Sequence, residues 1–243
     1  MPEVLEPTQT QTFPRSQTEI NYFSETEEII YPEQREDDMG ETSFHYRVIS
    51  DLMQMLRMFF REREDVFMTG NMNIYYVEGK PYKWFAPDIL VAFGVQNHER
   101  SVYKIWQEKV FPQVVFEVAS DRTWKNDVSG KLKLYEQLGA EEYYILDSEF
   151  KYLPSPVMAF RRENDALLPV EISGEKVFSP RLNLEIVRTE NNFRLFNPQT
   201  GEFLLTLEES EAEKKNFESR AITAEMELEL LKAEIEKLKK QNN

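Results

Sequence analysis

The chain contains no cysteine and only two histidines among its 243 residues. Without cysteine it has no disulfide, no thiolate nucleophile and no cysteine-bound zinc or iron–sulfur cluster. With only His45 and His98, a metal site made of several histidines from one chain is nearly excluded. Any bound metal ion would therefore be held mainly by carboxylate oxygens.

Long apolar runs are also missing. The longest ones are too short to span a bilayer. The acidic start M-P-E-V-L-E-P lacks the apolar stretch of a secretory signal. We therefore expect a cytoplasmic protein without a membrane segment.

Positive charge is scarce, but the deficit is concentrated at the two ends of the chain. The formal net charge is −15. Residues 1–40 contain 10 acids and two bases, and residues 207–243 contain 10 acids and seven bases. Residues 41–206 are nearly balanced, with 24 acids and 20 bases. An evenly acidic protein would bind phosphates poorly. This distribution instead predicts a partly disordered acidic arm over 1–40, a domain over 41–206 and a separate C-terminal helix over 207–243.

The hydrophobic pattern of the middle segment predicts a mixed α/β (α+β) domain around one central sheet. We expect a helix over about 43–63, strands over 66–69, 72–77, 85–93, 112–120 and 142–147, a helix over 131–138, and β-hairpins between 157 and 206.

The C-terminal segment carries a heptad repeat. Its apolar residues are spaced alternately by four and three: Phe217, Ala221, Ala224, Leu228, Leu231, Ile235 and Leu238. Such a stripe predicts a coiled coil that forms a homodimer or a higher oligomer. The alternative is a helix that packs against its own domain.

Two acids, Asp88 and Glu117, interrupt apolar strands. A buried carboxylate needs a compensating cation, metal ion or set of hydrogen bonds. If the strands are neighbours, the two carboxylates can meet and select Mg²⁺, or Mn²⁺, over zinc, with Lys131 within reach. Such a group suits phosphodiester hydrolysis. The alternative is structural: Asp88 caps a turn, and Glu117 and Lys131 form a buried ion pair.

Three motifs in order make the sequence similar to a known family. The strings A-P-D-I-L-V-A-F, P-Q-V-V-F-E-V-A-S and D-V-S-G-K-L-K-L-Y-E-Q-L-G-A-E-E-Y-Y-I-L-D resemble the Uma-type restriction endonucleases, or domain of unknown function 820. That family belongs to the PD-(D/E)XK nuclease superfamily. The resemblance implies a restriction-endonuclease-like core, a central mixed sheet flanked by helices, with the coiled-coil helix appended.

The resemblance also implies roles for individual residues. Asp88 and Glu117 match the two metal-binding acids of the family. The superfamily signature has a lysine two residues after the glutamate, but this chain has Ala119 there. The family's lysine is thought to come from the following helix, which Lys131 opens here. Asp127 matches a recurring acid that caps the helix or supports the site, and we expect capping.

Three further residues are candidates for a supporting role. Tyr135, one turn beyond Lys131, is expected to be a core aromatic that faces the site. The superfamily places an acid on the first helix, for which Glu41 is the candidate. His45 matches a position where relatives often have histidine; it either makes a local hydrogen bond at the start of the helix or lies near the scissile phosphate.

The residues and the resemblance together predict a Mg²⁺-dependent endonuclease that hydrolyses phosphodiester bonds of nucleic acid; DNA is favoured over RNA as the substrate, although the sequence does not decide between them. The alternatives are a catalytically inactive nuclease fold that serves as a binding or oligomeric assembly module, and a purely structural protein with ion-paired acids.

Overall fold

The computed structural model describes residues 43–172, 174–190 and 192–241. The predicted arm over 1–40 and the candidate Glu41 lie outside the described residues. The domain boundaries, including the one before residue 207, stay predictions.

A six-stranded mixed sheet forms the centre of the fold, as predicted. β6 and β7 are parallel neighbours, and all other neighbours in this sheet are antiparallel. Its strands, in spatial order, are β1 (Val66–Thr69), β4 (Ile89–Phe93), β6 (Val114–Val118), β7 (Glu142–Leu146), β8 (Val157–Glu163) and β9 (Ala166–Pro169).

A parallel pair needs a crossover connection. Here three consecutive helical segments join β6 to β7: α3 (Trp124–Asn126), a π-helical turn (Asp127–Lys131) and α4 (Leu132–Leu138). α4 ends at Gly139, whose φ of 101° lies in the left-handed region that favours glycine.

Each face of the central sheet packs against a different layer, because successive side chains of a strand point to opposite faces. Ile89 and Val91 of β4 pack with α1 (Ser43–Phe59), whereas Leu90 and Ala92 belong to the cluster that includes Tyr135 of α4. α1 buries side chains at three- and four-residue spacings, and it ends at Phe59 rather than near residue 63.

Two smaller sheets complete the described part of the domain. Four antiparallel strands between residues 176 and 203, instead of the simple hairpins expected there, cover the α1 side. The remaining elements are β2 (Ile74–Tyr75), β3 (Trp84–Phe85), β5 (Tyr103–Lys104), α2 (Ile105–Glu108), β10 (Lys176–Ser179), β11 (Leu184–Arg188), β12 (Phe193–Asn197) and β13 (Glu202–Phe203).

The C-terminal segment is one helix, α5 (Leu207–Gln241), about 52 Å long at 1.5 Å per residue. A capping box starts it: the Thr206 N–H donates to Glu209 Oε2 at 2.9 Å, and the Glu209 N–H donates to Thr206 Oγ1 at 3.3 Å. Arg194 Nη2 donates to the same Glu209 oxygen at 2.6 Å. These contacts fix the start of α5 to the domain. None of the helices in the described part of the chain has the length and apolar character needed to cross a membrane.

Candidate active site

Strand pairing brings the two predicted acids together. β4 and β6 are antiparallel with Ile89 opposite Phe116, so Asp88 and Glu117 occupy the next pair of positions. Asp88 lies one residue before β4 and not inside a continuous strand, because the predicted strand over 85–93 is divided at Ala86 and Pro87. Phe85 pairs instead with Ile74 in the three-stranded sheet. The division follows from the conformation of Pro87, which fixes φ and has no N–H to donate.

Short backbone contacts hold Asp88 in place. The Val118 N–H donates to Asp88 Oδ2 at 2.6 Å, and the Asp88 N–H lies 3.4 Å from Glu117 Oε2. Gly70 packs against the Asp88 carbonyl so closely that a Cβ at residue 70 would lie 2.6 Å from its oxygen. The position of Asp88 is therefore set by both neighbouring strands, β1 and β6.

Lys131 joins Glu117 to a third carboxylate. Its Nζ lies 2.8 Å from Glu117 Oε2 and 3.0 Å from Asp127 Oδ1. The other Glu117 oxygen, Oε1, accepts a hydrogen bond from the Tyr135 hydroxyl. Glu117 and Asp127 are 1% and 0% exposed, so this ion pair is shielded from solvent and from salt screening.

Two local expectations about this helical region were wrong. Lys131 ends the π-helical turn and directly precedes α4, so it does not open the helical run. Asp127 lies inside this run and not before its first residue, and its carboxylate faces Lys131, so it is not a helix cap. The physical reason is that the helix already starts at Trp124. A π-helical turn inserts one extra residue into the hydrogen-bonding pattern and re-aims side chains, and here the turn comprises both Asp127 and Lys131.

His45 makes a long-range contact with the site. Its Nε2 lies 3.1 Å from Asp88 Oδ2, and both side chains are largely buried. The expectation of a merely local hydrogen bond at the helix start therefore missed this partner, 43 residues away. α1 thus supports the site through His45.

Tyr135 is a core aromatic, as expected, but it also contacts the predicted ligand Glu117 directly. Tyr143 of β7 was not among the predicted site residues; its hydroxyl donates to the Asp127 carbonyl oxygen at 3.0 Å and so supports the π-helical turn. Its ring packs edge-on against that of Tyr135, with centroids 4.9 Å apart. The alternation in β7 places Tyr143 and Ile145 on one face of the sheet, and this signal could have revealed Tyr143.

Burial and charge shift the protonation equilibria of the site. Burial, together with the nearby Asp88 and Asp127 carboxylates, raises the pKa of Glu117 to about 8 against the opposing effect of Lys131. Burial likewise raises the pKa of Asp127. Burial alone would lower the pKa of Lys131, but the three surrounding carboxylates raise it overall. Lys131 therefore stays cationic, while Glu117 binds a proton readily in the absence of another cation.

The charge of the cluster is suited to a divalent cation. Asp88, Glu117 and Asp127 face one lysine, so the remaining negative charge is balanced either by a proton on one carboxylate or by a metal ion. Among the described residues, no three acidic or histidine side chains could enclose an ion by themselves. Mg²⁺ often binds one or two carboxylates and completes its shell with water and phosphate oxygens. Asp88 and Glu117 fit that requirement.

Two recesses lie near this part of the fold. One, of about 580 Å³, is lined by Lys131 together with Trp84 and Asn126. Another, of about 800 Å³, lies between α1 and β1 beside Arg57 and Arg100 and is lined by none of the predicted site residues.

The chain matches a known protein family. The family named Uma2 and described as “Putative restriction endonuclease” matches residues 31–189. Among solved structures, the chain is similar to a protein from Anabaena variabilis ATCC 29413 described as a “putative nuclease belonging to DUF820”, at 12% sequence identity and a TM-score of 0.45, over 58% of this chain and 75% of that one. The comparison with curated proteins gave no match. Because the family match covers more than half of the chain, the protein belongs to the Uma2 restriction endonuclease family.

Proposed function

We propose that the protein is a Mg²⁺-dependent endonuclease, also supported by Mn²⁺, that hydrolyses phosphodiester bonds of DNA. The observation that carries the proposal is the cluster in which Lys131 Nζ lies 2.8 Å from Glu117, across the strand pair from Asp88, in a member of this family. Three buried carboxylates around one lysine are costly for a protein with no use for a cation.

Each residue of the cluster has a distinct role in this proposal. Asp88 and Glu117 would hold the metal ion, which when bound polarises a phosphoryl oxygen and lowers the pKa of a bound water. The Lys131 ammonium offsets the negative charge that develops on the phosphoryl group. Tyr135 and His45 hold Glu117 and Asp88 in their orientations by hydrogen bonds.

The absence of a lysine at position 119 is compatible with this assignment. Ala119 is buried in the apolar cluster on the α4 side of the sheet, while Lys131 approaches Glu117 from the π-helical turn. The lysine is therefore supplied from another element at the same carboxylate.

Metal-dependent cleavage tests the proposal. Supercoiled plasmid, circular single-stranded DNA and RNA of matched length are incubated with Mg²⁺, Mn²⁺ or Ca²⁺. We expect nicking of DNA with Mg²⁺ or Mn²⁺, and its loss in Asp88→Asn but not in Asp165→Asn, the same change in the exposed β8–β9 turn. If the folded wild-type protein cleaves none of these substrates, the proposed nuclease activity is refuted. Cleavage of RNA alone would refute the preference for DNA.

We further propose that α5 joins two or more copies of the chain through a coiled coil. Its heptad side chains are largely exposed in the single chain; Phe217 is 73% exposed and Leu231 is 56% exposed. Because a lone helix cannot bury such a stripe, a second copy is the natural partner. Removal of residues 208–243 should reduce the mass measured by light scattering to that of a monomer, and an unchanged mass would refute the coiled coil.

The exposed α5 stripe also favours the second candidate function, an inactive nuclease fold used for assembly. The two candidates differ in one outcome. An assembly module would oligomerise through α5 but cut no DNA or RNA with any of the three metals, and its oligomeric mass would be unaffected by Asp88→Asn.

A further inference from the structure

A recess next to Lys131 has the chemistry of a nucleotide-binding site. Its volume of about 580 Å³ falls in the range of small-molecule sites in proteins. Two aromatic residues form one part of its lining, the half-buried Trp84 and Phe85, whose ring also packs against that of Tyr135. Polar residues form another part: Asn126, Lys131, Lys133 and Gln137. No acidic residue lines it.

Each component of this lining matches one part of a nucleotide. Aromatic rings stack on bases of any sequence. Side-chain amides can both donate and accept hydrogen bonds at base edges, and lysines bind phosphates as point charges. An acidic lining would repel a phosphate, so its absence in a chain of net charge −15 is informative.

The recess is also placed beside the proposed chemistry. Lys131 is shared between the recess and the Glu117 ion pair. Ala86, which lines the recess, is followed by Pro87 and then by Asp88. A nucleotide in the recess would therefore be a direct neighbour of a phosphate bound at Asp88 and Glu117.

We infer that the Trp84 recess binds an unstacked base of the substrate strand, next to the scissile phosphate, and that the preferred substrate is single-stranded or locally unpaired DNA. The inference rests on the proposed nuclease function and specifies its substrate class. A base inside intact duplex DNA is stacked on both sides and cannot enter such a recess without being extruded, which costs free energy.

The charge of the domain favours the same conclusion. Residues 41–206 have 24 acids and 20 bases, so phosphate contacts alone give weak binding. Stacking is less dependent on net charge and is available to every base. Binding through an aromatic recess would thus compensate for the missing basic surface.

Fluorescence anisotropy with labelled oligonucleotides, in EDTA so that no cleavage occurs, tests the inference. The probes are a single-stranded oligothymidylate, a blunt duplex, and an abasic strand of the same length and charge as the oligothymidylate. With the wild-type chain we expect the oligothymidylate to bind at least about fivefold more tightly than the abasic strand. Equal binding of these two strands would overturn the inference without recourse to any variant.

Variants at Trp84 supply the second arm. Trp84→Leu keeps an apolar side chain but removes the ring face, so we expect about a five- to hundredfold weaker affinity for the oligothymidylate. Trp84→Phe keeps a ring face and should retain most of the wild-type affinity. The control is Tyr82→Leu, an aromatic that is 59% exposed but does not line the recess. Equal losses in Trp84→Leu and Tyr82→Leu would overturn the inference.

The result is separable from that of the cleavage assay. Base-dependent binding without cleavage in any metal would refute the nuclease and leave the recess as a strand-binding site. Cleavage that is equally fast on duplex and single-stranded DNA, with no effect of Trp84→Leu, would support the nuclease function but refute base binding in the recess.

Discussion

Two buried glutamates lie at opposite ends of the same parallel strand pair and differ in their partners. Glu117, near the end of β6, contacts the Lys131 ammonium and the Tyr135 hydroxyl. Glu142, at the start of β7, accepts hydrogen bonds from the Ser179 and Tyr144 hydroxyls and from the Arg181 backbone N–H. They are 1% and 2% exposed, so burial alone does not distinguish them.

The difference lies in charge and not in access. The hydrogen-bond donors to Glu142 are neutral and join the central sheet to β10, as expected of a structural carboxylate. Glu142 also lines a recess of about 490 Å³, but it does so together with three arginines, Arg161, Arg162 and Arg181. Glu117 instead shares its surroundings with two other carboxylates and one lysine. A buried acid in a strand, even beside a recess, is therefore weak evidence for a site, whereas a buried excess of negative charge is stronger evidence.

The largest expected difference in unfolding free energy is between two variants, one that removes the cation next to Glu117 and one that removes the cation next to Glu142. Lys131→Met leaves Glu117 and Asp127 without their ion-pair partner and should lower the free energy of unfolding by about 3–5 kcal/mol. Arg181→Met removes a side-chain pair with the part-exposed Glu141 and a weaker electrostatic interaction with Glu142, so a loss below about 1 kcal/mol is expected. Urea unfolding of both variants at about pH 9, above the Glu117 pKa of about 8, measures the contrast, and equal losses would show that the Glu117 cluster is not electrostatically distinct.

The next contrast is the pH dependence of stability in the metal-free protein. Glu117 loses its proton near pH 4.5 when unfolded but near pH 8 when folded. Between these values the folded state binds more protons, so stability should fall as the pH rises. Glu117→Gln should make the profile flatter than that of the wild type, as measured by thermal melting in EDTA. A Glu117→Gln profile as steep as that of the wild type would contradict the assigned pKa.

The smallest expected effect separates the two tyrosines. Tyr135→Phe and Tyr144→Phe each remove one hydroxyl donor to a buried glutamate and should each cost about 1 kcal/mol in unfolding free energy. Only Tyr135→Phe should also slow Mg²⁺-dependent cleavage, because it frees the Glu117 carboxylate, which we propose as a ligand of the ion. Equal cleavage rates for the two variants would show that Tyr135 does not support the proposed site.

The sequence predicted the central sheet and the meeting of Asp88 with Glu117, because apolar strands that follow one another tend to pair. It could not predict the π-helical turn, because the position at which the helix begins, Trp124, depends on how residues 120–131 pack against β7. Nor could it predict the partner of His45, which is fixed by the docking of α1 across the sheet. Glu142 was overlooked because its donors, among them Ser179, come from a second sheet that the sequence suggested only as hairpins.

The central claim is that the Glu117 cluster, and not the Glu142 cluster, is a catalytic metal site. The most direct test is Mg²⁺-dependent cleavage of DNA by wild type, Glu117→Gln and Glu142→Gln, with circular dichroism to verify folding. We predict at least about a hundredfold slower cleavage for Glu117→Gln and a rate within about threefold of wild type for folded Glu142→Gln, whose substitution leaves the Glu117 cluster intact. Equal rates for the two folded variants would contradict the account.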